Sequence, residues 1–576
     1  MKETPSAADH RDKMKKVNCT ACCRQYTYFI LGIVVIAAAI LPRFIHLDAD
    51  PQPGFIPLDV GYQIDEGYKT FAPKNLLAFG KTIWSAEDEY SGWMESSPAT
   101  QWPYYFAFSQ LGLELENARA VTVLYFAIFL AITLYLLGRR YGSLLALTAV
   151  VLLATDAALF YFSRSALFEI AMIMLVYTGV LLTTLIPNNK PLHAAALMAG
   201  VALITMYTVK SSAMLYFAPP VFACALLIML DPERSRKRKN LYFGGLALVT
   251  VALIFLTRNT WLEHISLETL VNLPESFLLN SMTDLTPLAL LLGYSCILHL
   301  LLVKPESLFN SIYRLSLTAM VIGTPLILSL FDKNPPRYYV AVVPACLLLS
   351  VEWLYLKPWR ERLCASFSLV HKLAIAVIFI PFSMFLLRAI NILILMNIPF
   401  SVGEDPGIYI MTLYKLSPFF MLALFIVYFF ARNLSVKALG VVIPVLGLAN
   451  IATGVAAQTA ALMHPSYDSQ VVRKELSSLI VDPESVAGDW AAFFTAETPI
   501  RSFYMSEGIN FPTPEHIDKI RPNYFLYSGT VFDKRSLRSL EANRDIELSE
   551  PELLGTYMEQ DIIIYPVNYL SPITSR

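Results

Sequence analysis

The stretch YQIDEGYKTF (residues 62–71) sets Asp65 and Glu66 side by side just beyond a long apolar segment. Ionisable groups close to hydrocarbon are costly and tend to mark places where a protein binds or reacts. The acidic pair therefore poses the functional question, and the apolar runs around it decide the fold class. The first run, Tyr28 to Leu41, leads into Pro42-Arg43-Phe44 without a small-residue cleavage site. It reads as a retained membrane span rather than a removable signal peptide.

The same reading extends to the whole chain. Of its 576 residues 56% are hydrophobic and only 15% charged, so most of the protein must sit in a bilayer. The formal net charge of -1 and the sequence pI of about 6.7 give no reason to expect a nucleic-acid partner. Three of the seven cysteines, Cys19, Cys22 and Cys23, lie in a basic N-terminal tail, and none follows Cys364. The C-terminal region consequently cannot rely on disulfides. The CTACC cluster lacks a second ligand pair at zinc-finger spacing and reads as reduced thiols.

Apolar stretches of roughly 16 to 26 residues recur about thirteen times, each long enough to cross or nearly cross the hydrocarbon as a helix. They begin near Tyr28, Val121, Leu144, Leu167, Ala194, Ala213, Leu241, Leu285, Leu315, Tyr338, Leu373, Leu416 and Ala438. Basic residues crowd the N-terminal tail (residues 1–27), Arg139-Arg140, ERSRKRK at 233–239 and LKPWRERL at 356–363. These alternate loops are assigned to the cytoplasm by the positive-inside rule. The first large loop, 45–117, and the segment after the last span are then outside. The predicted organisation is a cytoplasmic tail, a membrane domain over 28–465 and an extracytoplasmic α/β domain over 466–576. In that last domain the runs SVAGDWAAFF, IRSFYMS, NYFLYSG and DIIIYPV read as strands.

On this topology Asp65, Glu66, Arg164, Glu169, Lys210, Arg258, Asp332, Lys333 and Arg337 all fall at outer helix ends or in outer loops. Acids and cations gathered at one face suit an anionic, lipid-linked substrate whose tail stays in the bilayer. An ion pathway would place acids near helix midpoints instead. Each residue also has a plainer reading. Arg164 and Lys210 could be interfacial anchors, Arg337 part of an aromatic and basic belt, and Glu169 a structural partner of Arg164.

Four stretches together resemble a known superfamily. QIDEGYKTFAPKNLLAFG, YFSRSALFEIAMIML (161–175), GVALITMYTVKSSAMLYFAPP (200–220) and KNPPRYYVAVVPACLLL (333–349) are similar to motifs of the GT-C fold glycosyltransferases that use polyprenyl-phosphate sugars. That superfamily includes protein O-mannosyltransferases and the aminoarabinose transferase acting on lipid A. The resemblance implies transfer of a monosaccharide from a polyprenyl-phosphate donor to a hydroxyl on protein, lipid A or glycan, at the outer face of what would be a bacterial inner membrane. A lipid-linked oligosaccharide transporter, or an envelope polysaccharide ligase or polymerase, is the competing reading.

The resemblance also implies roles. Asp65 is the expected general base, with Glu66 beside it. Lys210, Arg258, Arg337, Tyr338 and Tyr339 are expected around the donor phosphate, supported by Arg164 and Glu169. One departure stands out: ESSP at 95–98 carries Ser96 where the aminoarabinose-transferase branch has a lysine. Some members hold a divalent metal with a glutamate and a histidine, for which Glu95 and His264 are the candidates here.

Overall fold

The structure is a computed structural model that describes residues 30–50, 61–82, 93–230, 287–328, 336–361, 432–480, 484–505, 521–558 and 560–570, with a few isolated positions between. Long runs of Leu, Ile, Val, Ala and Phe form helices because in lipid each backbone polar group must be satisfied within its own segment. The apolar helices are α1 (Ile30–Phe44), α5 (Leu115–Tyr141), α6 (Ser143–Thr155), α7 (Ala157–Ser163), α8 (Glu169–Leu182), α9 (Pro191–Thr208) and α10 (Ala213–Leu230). They continue with α11 (Pro287–Val303), α13 (Ile312–Leu328), α14 (Val343–Leu356) and α15 (Arg432–Met463). Between α1 and α5 lie α2 (Gly61–Phe79), the short α3 (Trp93–Ser96) and α4 (Pro98–Leu111), and a one-turn α12 (Glu306–Phe309) precedes α13.

By length and composition, four helices among the described residues can cross a membrane, five if α6 and α7 count as one broken span. Shorter apolar helices such as α1, α8, α10, α11 and α13 accompany them. The span starts expected near Leu241 and Leu416 lie outside the described residues, and that near Leu373 almost entirely so. The loop expected over 45–117 instead holds three helices, and the acidic pair stands on the first of them.

The helices pack around one buried apolar core: α5 against α6 and α8, α10 against α9 and α13, and α11 against α14 and α15. A sharp bend interrupts one stretch of apolar helix. Helices α6 and α7 meet at Asp156 with a bend of 68°. Asp156 caps α7 by accepting the Leu159 N–H at 3.0 Å, and its other oxygen accepts from the Asn450 amide at 3.3 Å. The Ala154 carbonyl beside the break accepts from Arg43 (2.9 Å) and Gln458 (3.0 Å). Backbone irregularity at membrane depth is tolerated only where buried partners replace lost hydrogen bonds, and here α1 and α15 supply them.

After α16 (Asp468–Leu479) the chain forms a sheet in the order β2-β1-β3-β6-β4, with β5 also paired to β6. The strands are β1 (Ser485–Ala487), β2 (Arg501–Phe503), β3 (Tyr524–Tyr527), β4 (Ile546–Leu548), β5 (Glu552–Tyr557) and β6 (Gln560–Tyr569). β1 pairs parallel with β2 and β3, and β6 runs antiparallel to β3, β4 and β5. Helices α17 (Ala491–Phe494) and α18 (Val531–Glu541) complete this C-terminal unit. The run SVAGDWAAFF is therefore strand only over its first three residues. It stops at Gly488, whose φ of +152° turns the chain against the Leu526 carbonyl, and WAAFF coils into α17.

Gly454 on α15 lies so close to the break that a Cβ there would overlap the Thr155 carbonyl, whereas Gly447 on the same helix has open space. Gly454→Val is expected to cost about 1–3 kcal/mol by overpacking, read as a lower Tm in detergent. Gly447→Ala is expected to leave Tm unchanged or slightly raised.

Candidate active site

Helix α2 is the foundation of the site. Asp65 and Lys69 are one turn apart and share a face. Pro73 lies inside this helix and has no N–H for the Lys69 carbonyl four residues back. That carbonyl accepts instead from the Gln101 amide of α4 at 2.6 Å. The proline thus ties α2 to α4 at the residue that presents the lysine.

Glu66, next to Asp65, points to different partners. It forms a bidentate pair with Arg119 of α5 (2.9 and 2.6 Å) and accepts the Ala166 N–H at 2.6 Å. Arg119 also donates to the Leu47 and Ala49 carbonyls, each at 2.8 Å. Both side chains are essentially fully buried. Four chain segments meet at this pair, and both Glu66 oxygens are committed to holding them.

Asp65 faces the cations. Arg337 Nη1 contacts Asp65 Oδ2 directly, while Arg337 Nε lies 3.8 Å from Glu169 Oε1. Lys210 Nζ reaches the same Glu169 oxygen at 2.6 Å. The Tyr338 ring stacks beside both cations, 4.4 Å from Lys210 Nζ and 5.4 Å from the Arg337 guanidinium carbon. The Asp65 and Arg337 side chains keep 15% and 17% of their surface exposed, whereas Glu169 is fully buried. Its second oxygen has no hydrogen-bond partner among the described residues.

The cations are placed by backbone geometry. Arg337 and Tyr338 lie on a 3-10 turn (Pro336–Val342) that opens α14. The Tyr177 hydroxyl of α8 donates to the Ala341 carbonyl at 2.5 Å and accepts the Ala345 N–H at 2.9 Å. Tyr216 of α10 donates to the Tyr338 carbonyl at 2.7 Å. Lys210 occupies the short turn between α9 and α10, and Glu169 is the first residue of α8.

Lys69 completes the cluster and is absent from the sequence-based set. Burial and the nearby Lys210 ammonium push its pKa down to about 7, with Glu169 opposing the shift. Its ammonium also lies 5.0 Å from the Phe168 ring centre. The signal that could have found it is its spacing of four from Asp65, which matters only if the stretch is helical.

Other expectations fare differently. Arg164 does not pair with Glu169. It caps α7, and its guanidinium donates to the Pro42, Ile45 and His46 carbonyls (3.2, 2.9 and 2.6 Å). The turn over Ser165–Phe168 separates the two residues, so they do not share a helix face. Tyr339 is buried in the apolar core, and of the two tyrosines Tyr338 flanks the cations. Glu95 is exposed on α3, and among the described residues no group of three potential metal ligands exists. Arg258, His264, Asp332 and Lys333 lie outside the described residues.

The solved structures most similar to this fold include ArnT from Cupriavidus metallidurans in the apo state, at TM-score 0.50 and 13% identity over 96% of this chain and 99% of that one. The same enzyme bound to undecaprenyl phosphate gives 0.49 and 12% over 94% and 97%. The oligosaccharyltransferase AglB from Archaeoglobus fulgidus, in complex with an inhibitory peptide and a dolichol-phosphate, gives 0.42 and 10% over 86% and 69%. No protein-family model matches the sequence, and no curated protein does. The first likeness extends along nearly the whole of both chains, and the fold is that of a GT-C membrane protein.

Two measurements check the division of labour on α2. Glu66→Gln leaves Arg119 buried without its counter-charge and is expected to cost about 3–5 kcal/mol, whereas Asp65→Asn should change Tm little. A second test concerns Lys74, buried on α2 and donating to Thr495 Oγ1 (3.0 Å) and the Ile500 carbonyl (2.8 Å). Burial lowers its pKa from 10.5 to about 7. Between these values the unfolded chain holds the extra proton, so Lys74 makes stability rise with pH across that window. Lys74→Met should flatten this part of the stability–pH curve.

Proposed function

We propose that this protein is an inverting glycosyltransferase that moves a monosaccharide from a polyprenyl-phosphate donor to a hydroxyl acceptor at the outer face of the membrane. The observation that carries the reading is Arg337, shared between Asp65 and Glu169 with Lys210 and Lys69 beside it. Two carboxylates face three potential cations, a balance that leaves room for one anionic phosphate. Arg337 can pair bidentately with phosphate oxygens while the lysines act as point charges.

The reaction follows from this charge pattern. A donor phosphate entering the cluster competes with Asp65 for Arg337 and so frees the carboxylate. Asp65 then takes the proton from the acceptor hydroxyl as that oxygen forms its bond to the anomeric carbon. The bond from that carbon to the phosphate oxygen breaks, and the lipid phosphate leaves with the electron pair. Arg337, Lys210 and protonated Lys69 stabilise its charge. One displacement with no sugar–enzyme intermediate inverts the anomeric centre, in contrast to a two-carboxylate double displacement. Glu169 holds the cations in place.

The fold shared with ArnT supports the choice of a lipid phosphate as the leaving group. In this reading about thirteen spans place the C-terminal unit, as an α/β domain, and the charge cluster outside the cytoplasm. Glu95 and His264 are kept as candidate metal ligands only.

Undecaprenyl phosphate binding and release of lipid phosphate from an undecaprenyl-phosphate sugar test the proposal. Arg337→Gln should weaken binding at least about tenfold. Asp65→Asn should bind as well as or better than wild type, since it no longer competes for Arg337, while transfer falls about 10²–10⁴-fold. Wild-type transfer by Asp65→Asn would remove that residue from the chemistry.

A further inference from the structure

The face of α2 opposite the charge cluster rests on the C-terminal unit, and the contact begins two residues after Asp65. A Cβ on Gly67 would overlap the backbone of Ala492 and Phe493 in α17. Only glycine permits so close an approach. The neighbouring Tyr68 hydroxyl donates to the Asp489 carbonyl, and its ring meets that of Tyr504 edge-on at 4.6 Å. Two turns along, on the Gly67 side of α2, Lys74 donates to Thr495 and Ile500. Gly67, Phe71 and Lys74 recur at the spacing of one helix face, and Phe71 is buried.

Left to itself α2 is a poor helix. It contains two glycines and an internal proline, and its composition lacks the apolar content of a membrane span. Its position is set from outside on three sides. Glu66 ties it to Arg119, Gln101 ties it to α4, and the third side is the turn from Gly488 to Phe494. Without that third contact α2 could roll about the other two. A roll of about 20° displaces a side-chain tip, at an outer radius of about 5–6 Å, by roughly 2 Å, enough to separate Asp65 from Arg337.

We propose that the C-terminal unit is a positioning element of the reaction site: by seating its Gly488–Phe494 turn on Gly67 and Tyr68, it fixes the face of α2 that presents Asp65 and Lys69. The inference deepens the proposed transferase reading and rests on it for the role of Asp65. Gly67 and Tyr68 are positioning residues that act through Asp65 and touch no substrate.

The test uses the full-length protein in nanodiscs, with undecaprenyl phosphate as binding probe, release of lipid phosphate from an undecaprenyl-phosphate sugar as the transfer readout, and amide hydrogen exchange across residues 61–79 as a third readout. Tyr68→Phe removes one hydroxyl and is expected to raise exchange at residues 65–70 about three- to tenfold, the size of one net hydrogen bond. Transfer should fall by a comparable factor, while undecaprenyl phosphate affinity holds or rises because Asp65 competes less for Arg337. Gly67→Ala should give a larger effect of the same kind. Val567→Ala, in the separate core of the sheet, lowers stability without touching α2 and serves as the control.

Transfer loss in Tyr68→Phe and Gly67→Ala without affinity loss, with transfer retained in Val567→Ala, supports positioning. Unchanged exchange in both α2 variants, or transfer that merely follows stability through all three, overturns it. If the wild type does not bind the probe, the transferase reading fails. The exchange comparison then still decides whether this contact holds α2.

Discussion

One guanidinium answering two carboxylates from different parts of the chain is the constraint on which the site depends. Arg337 comes from the turn before α14, Asp65 from α2 and Glu169 from the start of α8. Charges this close to hydrocarbon are tolerable only when paired, so the three elements must arrive at one place together. Lys210 and Lys69 join the same cluster, and in the proposed reading the excess of cations over acids is what an anion would answer. The open side of the cluster, where Asp65 and Arg337 remain partly exposed, is where that anion would enter.

Much of the surrounding architecture can be traced to holding those elements still. The break at Asp156 brings the Ser165–Phe168 turn within reach of Glu66, through the Ala166 N–H. Tyr177 and Tyr216 pin the Arg337 turn by its backbone rather than its side chain. That choice leaves the guanidinium free to exchange partners. Glu66 and Asp65 are neighbours in sequence with opposite fates. The first is buried, fully paired and structural, and the second is partly exposed and paired with Arg337. Adjacent helix positions differ by about 100° in direction, which is sufficient to send two identical charges to different work.

The sequence makes the membrane class legible, because apolar runs and basic loops are strong signals that survive without knowledge of tertiary contacts. Asp65, Glu169, Lys210 and Arg337 are legible for a related reason: each is a charge beside hydrocarbon. Lys69 is not, because residues 62–71 read as part of a loop, and its shared face with Asp65 exists only in a helix. Arg119 escapes notice as one more charge at the edge of a span, and its partnership with Glu66 is a long-range contact that no local pattern encodes. Pairing Arg164 with Glu169 assumes a continuous helix where the chain turns. In the C-terminal unit the apolar runs locate β1, β2, β3 and β6. The short β4 and the largely solvent-facing β5, with Leu553 exposed, leave little periodic signal.

The most direct measurement is an experimental structure of the full chain with undecaprenyl phosphate bound in nanodiscs. The account predicts the phosphate oxygens at hydrogen-bond distance, about 3 Å, from Arg337 and Lys210, with the Asp65 carboxylate released and facing open space. A phosphate bound elsewhere, with Asp65 and Arg337 still paired, would contradict it.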